Sequence, residues 1–190
     1  MALRHAVLAA LADRRLSAYE LARRFDVTVA HFWHATAQQL SVELARMEAA
    51  CLVVGHEVVR DRRPTKRVFT IASAGADELA AFIERPTRPT AIKDDLTVAV
   101  HAAEFGSSAA VLRDLAERRE QAEVKLADFH GMAREMLAGR TEEEYLETAE
   151  RIGPYLALRR GIAFEEQTAA WCESTAHALS RRLDRARRGT

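Results

Sequence analysis

"LVVGHEVVRDRRPTKRVFTI", residues 52–71, decides how the rest of the chain is read. Two β-branched runs flank a segment in which Arg60, Arg62, Arg63, Lys66 and Arg67 crowd around Pro64, with only Asp61 opposing them. Runs of this kind joined by a short polar break predict an antiparallel hairpin with a basic turn, Val58 and Val68 and their alternate neighbours being half buried. Pro64 has no amide proton and a fixed φ, so it suits a hairpin tip. The cations have two readings. A charged tip protects a sheet edge from pairing with other chains, but one or two lysines do that. Guanidinium groups also make bidentate bonds to phosphate and release condensed counterions. Five cations within residues 60–67 favour phosphate.

Upstream the pattern is helical. Leu3, Val7, Leu8 and Leu11 recur at helical spacing. Ser17 lies three residues before Glu20, the spacing of a capping box, and predicts a short second helix carrying Leu21, Ala22 and Phe25 and ending near Asp26. A third helix is expected from about Thr36 to Ala50, with Leu40, Leu44 and Met47 on one stripe. Its exposed Thr36, Gln38, Gln39 and Ser41 are side chains of the kind that read base edges or phosphates, or simply an ordinary polar face. Downstream of the hairpin a further helix is expected, with Ser73 as cap and Leu79, Phe82 and Ile83 inward. Three helices, a hairpin and a helix make the layout of a winged helix-turn-helix, in which the third helix enters the major groove.

"ERPTRPTAIKDD" places two prolines in four residues, and the domain boundary is expected there: residues 1–88 as the winged domain and 89–190 as a helical one. The fold class is therefore mainly α, a winged helix-turn-helix followed by long antiparallel helices. Two seams run along those helices. Leu112, Leu115, Arg119, Ala122, Leu126, Phe129, Ala133 and Met136 form one, broken by Arg119. Tyr155, Leu158, Ile162, Glu165, Ala169, Cys172, Ala176, Leu179 and Leu183 form the other, broken by Glu165. A helix is expected to start or bend at Pro154, and Thr141 with Glu144 makes a second capping box. The seams predict a homodimer whose interface is Leu158, Ile162, Ala169, Cys172, Ala176, Leu179 and Leu183. The alternative is an intramolecular hairpin in which the seams meet each other.

Bulk composition bounds the rest. Lys and Arg number 28 and Asp and Glu 28, so attraction to an anionic partner has to be local. With 48% apolar residues a sizeable core is within reach. No apolar run is long enough for a membrane span, and Arg4, Asp13, Arg14 and Arg15 bracket the first amphipathic segment, unlike a signal peptide, so a cytoplasmic protein is expected. Cys51 and Cys172 fit no metal or redox spacing and are expected to be free thiols. No nucleophile elbow, phosphate-binding glycine loop or zinc-peptidase motif is present, which argues against an enzyme, and no cofactor is expected. His31 and His34 have helical metal-ligand spacing without an evident third ligand. Trp33 and Trp171 are candidate walls of an effector pocket, or else packing residues.

Three blocks carry a family resemblance: "LRHAVLAALADRRLSAYELARRFD", "HFWHATAQQLSVELARMEAACLV" and "RRPTKRVFTIASAGADELAAFI". Together they resemble the PadR family of bacterial transcription regulators. "LALRRGIAFEEQTAAWCESTAHAL" resembles the C-terminal dimerisation domain of its longer members, so the likeness covers nearly the whole chain. The resemblance implies a homodimeric repressor on double-stranded DNA with a roughly palindromic operator, released by a small aromatic or drug-like effector. It places Tyr19 at the start of helix two, Phe32-Trp33 before helix three, Gln39 on the recognition helix, and Pro64 and Lys66 on the wing. The DNA-binding set is then Ser17, Tyr19, Thr36, Gln38, Gln39, Ser41, Arg62, Arg63, Thr65, Lys66 and Arg67. Departures from the family pattern are Ala18, Cys51 and Arg62 at usual glycine sites, Phe69 for a tyrosine, and Ser41-Val42 where a tyrosine and an arginine are common. An alternative of another class is a helical module that binds protein or a small ligand through the same domain.

Overall fold

The computed structural model describes residues 2–24, 35–60, 63–87, 89 and 93–188. The chain divides into two compact units, Met1–Pro89 and Thr90–Thr190.

The first unit runs α1 (Ala2–Leu11), α2 (Ala18–Arg24), α3 (Ala37–Ala49), β1 (Val53–Arg60), β2 (Arg63–Ile71) and α4 (Ser73–Ile83). Its core follows from the apolar stripes: Val7, Leu8 and Leu11 of α1 meet Leu21 of α2 and Leu40, Leu44 and Met47 of α3, and Val53 and Phe69 close it from the hairpin. The Ser17–Glu20 capping box forms, with each residue's backbone N–H donating to the other's side-chain oxygen. The expected end of α2, with Phe25 and Asp26, lies outside the described residues.

α3 stops through a left-handed residue. Cys51 has φ +57°, its N–H donates to the Glu48 carbonyl and that of Leu52 to the Met47 carbonyl. These two bonds make a Schellman termination, whose left-handed position normally takes glycine because a Cβ is strained there.

β1 and β2 pair antiparallel from Val53↔Ile71 to Val58↔Lys66, with an irregularity between Val58 and Arg60 before Arg60↔Arg63. The basic segment is thus mostly strand. Residues 63–67 lie on β2, and only Asp61 and Arg62, outside the described residues, separate the strands. Pro64 sits beside the irregularity, where a missing ladder N–H is tolerated. Val68 is buried as expected; Val58 is exposed, because its stretch of the hairpin has passed the edge of the core. Leu16 and Phe69 exchange both backbone bonds, at 3.2 and 2.8 Å, and so tie the loop before α2 to β2. At the far end, α4 begins after an Ala72 N-cap without a side-chain bond, so Ser73 is its first residue and not its cap. Leu79 packs on the core and Phe82 stacks on His5, whereas Ile83 is exposed at the last turn. Gly75 is required by close approach, since a Cβ there would stand 2.1 Å from the Leu52 carbonyl oxygen.

The second unit is helical: α5 (Asp95–His101), a 3-10 turn (Ala103–Phe105), α6 (Ser108–Leu137), α7 (Glu142–Thr148) and α8 (Gly153–Arg188). Asp94, Ser107 and a Thr141–Glu144 capping box start α5, α6 and α7. Pro154, the second residue of α8, lacks an N–H that the first turn does not use. α6 and α8 are antiparallel partners: Leu115 shares a cluster with Cys172, Lys125 bonds Glu165, and Phe129 shares a cluster with Leu158. The two seams therefore meet each other within one chain. No described helix is long and apolar enough to cross a membrane.

Candidate nucleic-acid interface

α2 and α3 pack on each other with α3 showing one clean outer face. Leu40, Leu44 and Met47 turn inward, while Gln38, Gln39, Ser41, Val42, Ala45 and Arg46 are exposed. The arrangement leaves a helix side about two turns long open to a groove.

The polar side chains of that face have local work first. Thr36 Oγ1 accepts from Gln39 N–H, and Gln39 Oε1 accepts from Thr36 N–H at 2.9 Å, a reciprocal capping box. Ser41 Oγ donates to the Ala37 carbonyl at 2.9 Å. Gln38 is exposed. Thr36 and Gln39 thus hold the start of α3, and the signal for it is the T-x-x-Q spacing of a helix start.

On α2, Tyr19 stands 71% exposed, whereas Ser17 is buried and its hydroxyl donates to Glu20 Oε2 at 2.9 Å. A side chain so covered and so bonded has little to offer an outside ligand.

The wing cations are partly neutralised from within. Lys66 Nζ donates to Glu20 Oε1 at 2.5 Å. This bond and those from Ser17 hold the Glu20 carboxyl at about 2, far below its ordinary range, Lys66 contributing most. Arg67 Nη2 lies 2.8 Å from both Glu48 oxygens, and its guanidinium sits over the Phe69 ring, 5.6 Å from the centroid. Glu48 Oε1 also accepts from Gly55 N–H at 3.1 Å. Sequence reasoning misses both carboxylates. Glu20 and Lys66 are 46 residues apart and Glu48 and Arg67 19, separations that no local pattern encodes. Arg62 lies outside the described residues; Arg63 and Thr65 are on β2.

In the second unit, the interface expected along α8 needs correction. Leu158 and Cys172 are sealed inside their own chain, Leu158 with Phe129 and Tyr155, Cys172 with Leu115. A side chain covered by its own chain has no surface left for a partner. Ile162, Ala169, Ala176, Leu179 and Leu183 keep part of their surface. Glu165, the polar break in the seam, is buried and receives Lys125 Nζ at 3.0 Å. Arg119, the other break, reaches Glu123 at 3.4 Å. Trp171 packs on the Leu115–Cys172 cluster, and Trp33, His31 and His34 lie outside the described residues. A cavity of about 440 Å³ opens between α6, α7 and the start of α8, lined by His130, Arg134, Glu142, Tyr155 and Arg159 among others. Among the described residues no cluster of His, Cys, Asp or Glu could hold a metal ion.

A family profile described as "Virulence activator alpha C-term" matches residues 92–180. The probable transcriptional regulator Rv1176c of Mycobacterium tuberculosis is 35% identical in an alignment 189 positions long that covers 94% of this chain and 98% of that protein. The negative transcriptional regulator PadR of Bacillus subtilis is 21% identical over 90% of this chain and 94% of its own length. The crystal structure of that protein with operator DNA superimposes with a TM-score of 0.75 at 20% identity, covering 94% of this chain and 99% of the other. Its structure with p-coumaric acid gives 0.67 at 21% identity, covering 94% and 95%.

Proposed function

The chain belongs to the PadR family of transcriptional regulators, and on that footing we propose that it is a homodimeric repressor binding double-stranded DNA at a pseudo-palindromic operator. The observation that carries the reading is the outer face of α3, unpacked and polar, on a winged domain whose β2 is rich in cations. Residues 1–88 are the DNA-binding domain and 89–190 the dimerisation domain. In each protomer α3 lies in the major groove with Gln38 and Gln39 toward the bases, Tyr19 and the wing, Arg62 and Arg63 above all, along the phosphates. Two such helices fall about 34–36 Å apart, one turn of duplex. Val42, exposed where the family commonly has arginine, offers an apolar contact for a thymine methyl. The protein works in the cytoplasm. A small aromatic acid or drug-like effector releases it by binding one dimer conformation better than the other, an idea supported by the p-coumaric acid complex of the Bacillus protein.

The test is duplex binding by the full-length protein to a random-sequence library, followed by salt titration on the selected duplex. Replacing Arg62 and Arg63 with Ala should flatten the slope of log affinity against log salt by about 0.9 for each phosphate that is no longer neutralised. Gln39→Glu keeps the capping box, which glutamate also closes, and removes the amide donor. It should narrow the gap between selected and random duplex by about 1–3 kcal/mol. A protein that binds no duplex at low ionic strength would overturn the reading.

A further inference from the structure

The wing's cations differ in what holds them. Lys66 and Arg67 are each bound by a carboxylate from the helical part of the same unit, Glu20 of α2 and Glu48 of the last turn of α3. An ordinary surface pair is weak because two long side chains must be ordered to make it. Here both carboxylates are ordered already. Glu20 Oε2 accepts the N–H and the hydroxyl of Ser17, each at 2.9 Å, and Glu48 Oε1 accepts Gly55 N–H. Gly55 leaves room for the second pair: a Cβ there would stand 2.5 Å from Glu48 Oε1 and 2.7 Å from Arg67 Nε. The Leu16–Phe69 backbone bridge ties β2 to the same cap from which Glu20 projects. A two-stranded hairpin is marginal by itself and needs bracing of this kind to hold one orientation.

We propose that Glu20 and Glu48 are positioning residues for DNA recognition: they join the wing to α2 and α3 so that wing and recognition helix meet a duplex as one body. Lys66 and Arg67 are engaged in that joint and not on phosphate. The inference rests on the reading of this unit as a DNA-binding domain and deepens it. Its consequence runs against charge counting. Removing an acid beside DNA should strengthen binding if only Coulomb attraction counts, whereas removing a brace should weaken specific binding, because the wing must then be ordered at the moment of contact.

The experiment uses the full-length protein with Glu20→Gln, Glu48→Gln, Lys66→Gln and Arg67→Gln, and the double variant of Glu48 and Arg67. Binding is read by fluorescence anisotropy on a random-sequence duplex and on the duplex that the wild type selects, between about 50 and 200 mM salt. Each single variant should bind the selected duplex about tenfold more weakly, the effect of one side chain that must now be ordered on binding. The salt slope of Lys66→Gln and Arg67→Gln on the random duplex should stay at the wild-type value. The double variant should bind no more weakly than either single one, since both remove one joint. Unfolding midpoints without DNA identify any variant that fails to fold, and Glu48→Asp with Lys66→Arg, which keep charge and partner, should then retain wild-type discrimination. A slope reduced by about 0.9 for each cation replaced, tighter binding by the carboxylate variants, or effects that multiply in the double variant would each overturn the inference alone. Absence of any duplex binding by the wild type would overturn the underlying reading as well.

Discussion

The two units solve the problem of burial differently. Among its described residues the first gathers eleven buried apolar side chains into one cluster, from three helices, the hairpin and the connecting residues Leu16 and Leu52, with Val7, Leu8, Leu21, Leu40 and Met47 wholly covered. Among the described residues of the second, most of the buried apolar ones form two clusters of five, one around Leu115 and Cys172 and one around Phe129 and Leu158. Between them lies the Glu165–Lys125 pair. Large apolar side chains stand in the open in both units: Tyr19, Val42, Val54, Val58 and Ile83 in the first, and Phe105, 93% exposed, with Val98, Val124, Leu156 and Phe164 in the second. Helices packed in pairs have less inward surface than a three-helix domain closed by a hairpin. The contrast is between one continuous core in the first unit and two smaller, separate ones in the second.

The largest expected effect separates the two cores. Leu8→Ala should cost about 4 kcal/mol and Leu115→Ala about 2 kcal/mol in urea unfolding, since the cost of a truncated leucine grows with the cavity its neighbours cannot fill. Equal costs would mean that the Leu115 cluster is closed as tightly as the first core.

Next in size is an asymmetry within the second unit. Lys125→Met strands a buried carboxylate and should cost about 3 kcal/mol, whereas Glu165→Met leaves a half-exposed lysine free to reach water and should be nearly neutral. The reverse order in thermal melts would remove the pair from any role in separating the clusters.

Within the first unit, Cys51→Gly relieves the left-handed residue after α3 and should stabilise by about 0.5–1 kcal/mol, measured by the same unfolding. The pH response of Glu20 tests its joint with Lys66. Its folded carboxyl titrates at about 2 against an ordinary 4.5, so the stability it adds is complete above the ordinary value and is lost only as pH falls toward about 2. The carboxyl carbon resonance should show that low midpoint, and Lys66→Gln should raise it toward the ordinary range. An unmoved midpoint would show that Lys66 is not what holds Glu20 down.

Much of this architecture is legible in the residues because its code is short-range. The Ser17–Glu20 and Thr141–Glu144 boxes, the Leu40–Leu44–Met47 stripe and the two β-branched runs involve neighbours a few positions apart, and each forms where its spacing indicates. The departures have physical causes too. Ser73 yields the cap to Ala72 by one residue. Val58 and Ile83 carry the right alternation or period, but pattern does not reveal where a core ends. The periodicity of α8 marks a true seam without naming its partner: a stripe that fits a second subunit equally fits α6, and for Leu158 and Cys172 it is α6 that covers them.

The chain by itself determined which segments become helix or strand, in what order, and that a basic hairpin follows a polar-faced third helix, because backbone preference, capping and periodicity act among near neighbours. Only the tertiary structure decided which charges remain for an outside partner. Glu20 meets Lys66 and Glu48 meets Arg67 across stretches of chain that share no pattern, and a carboxylate's partner is fixed by where folding puts it and not by its place in the sequence.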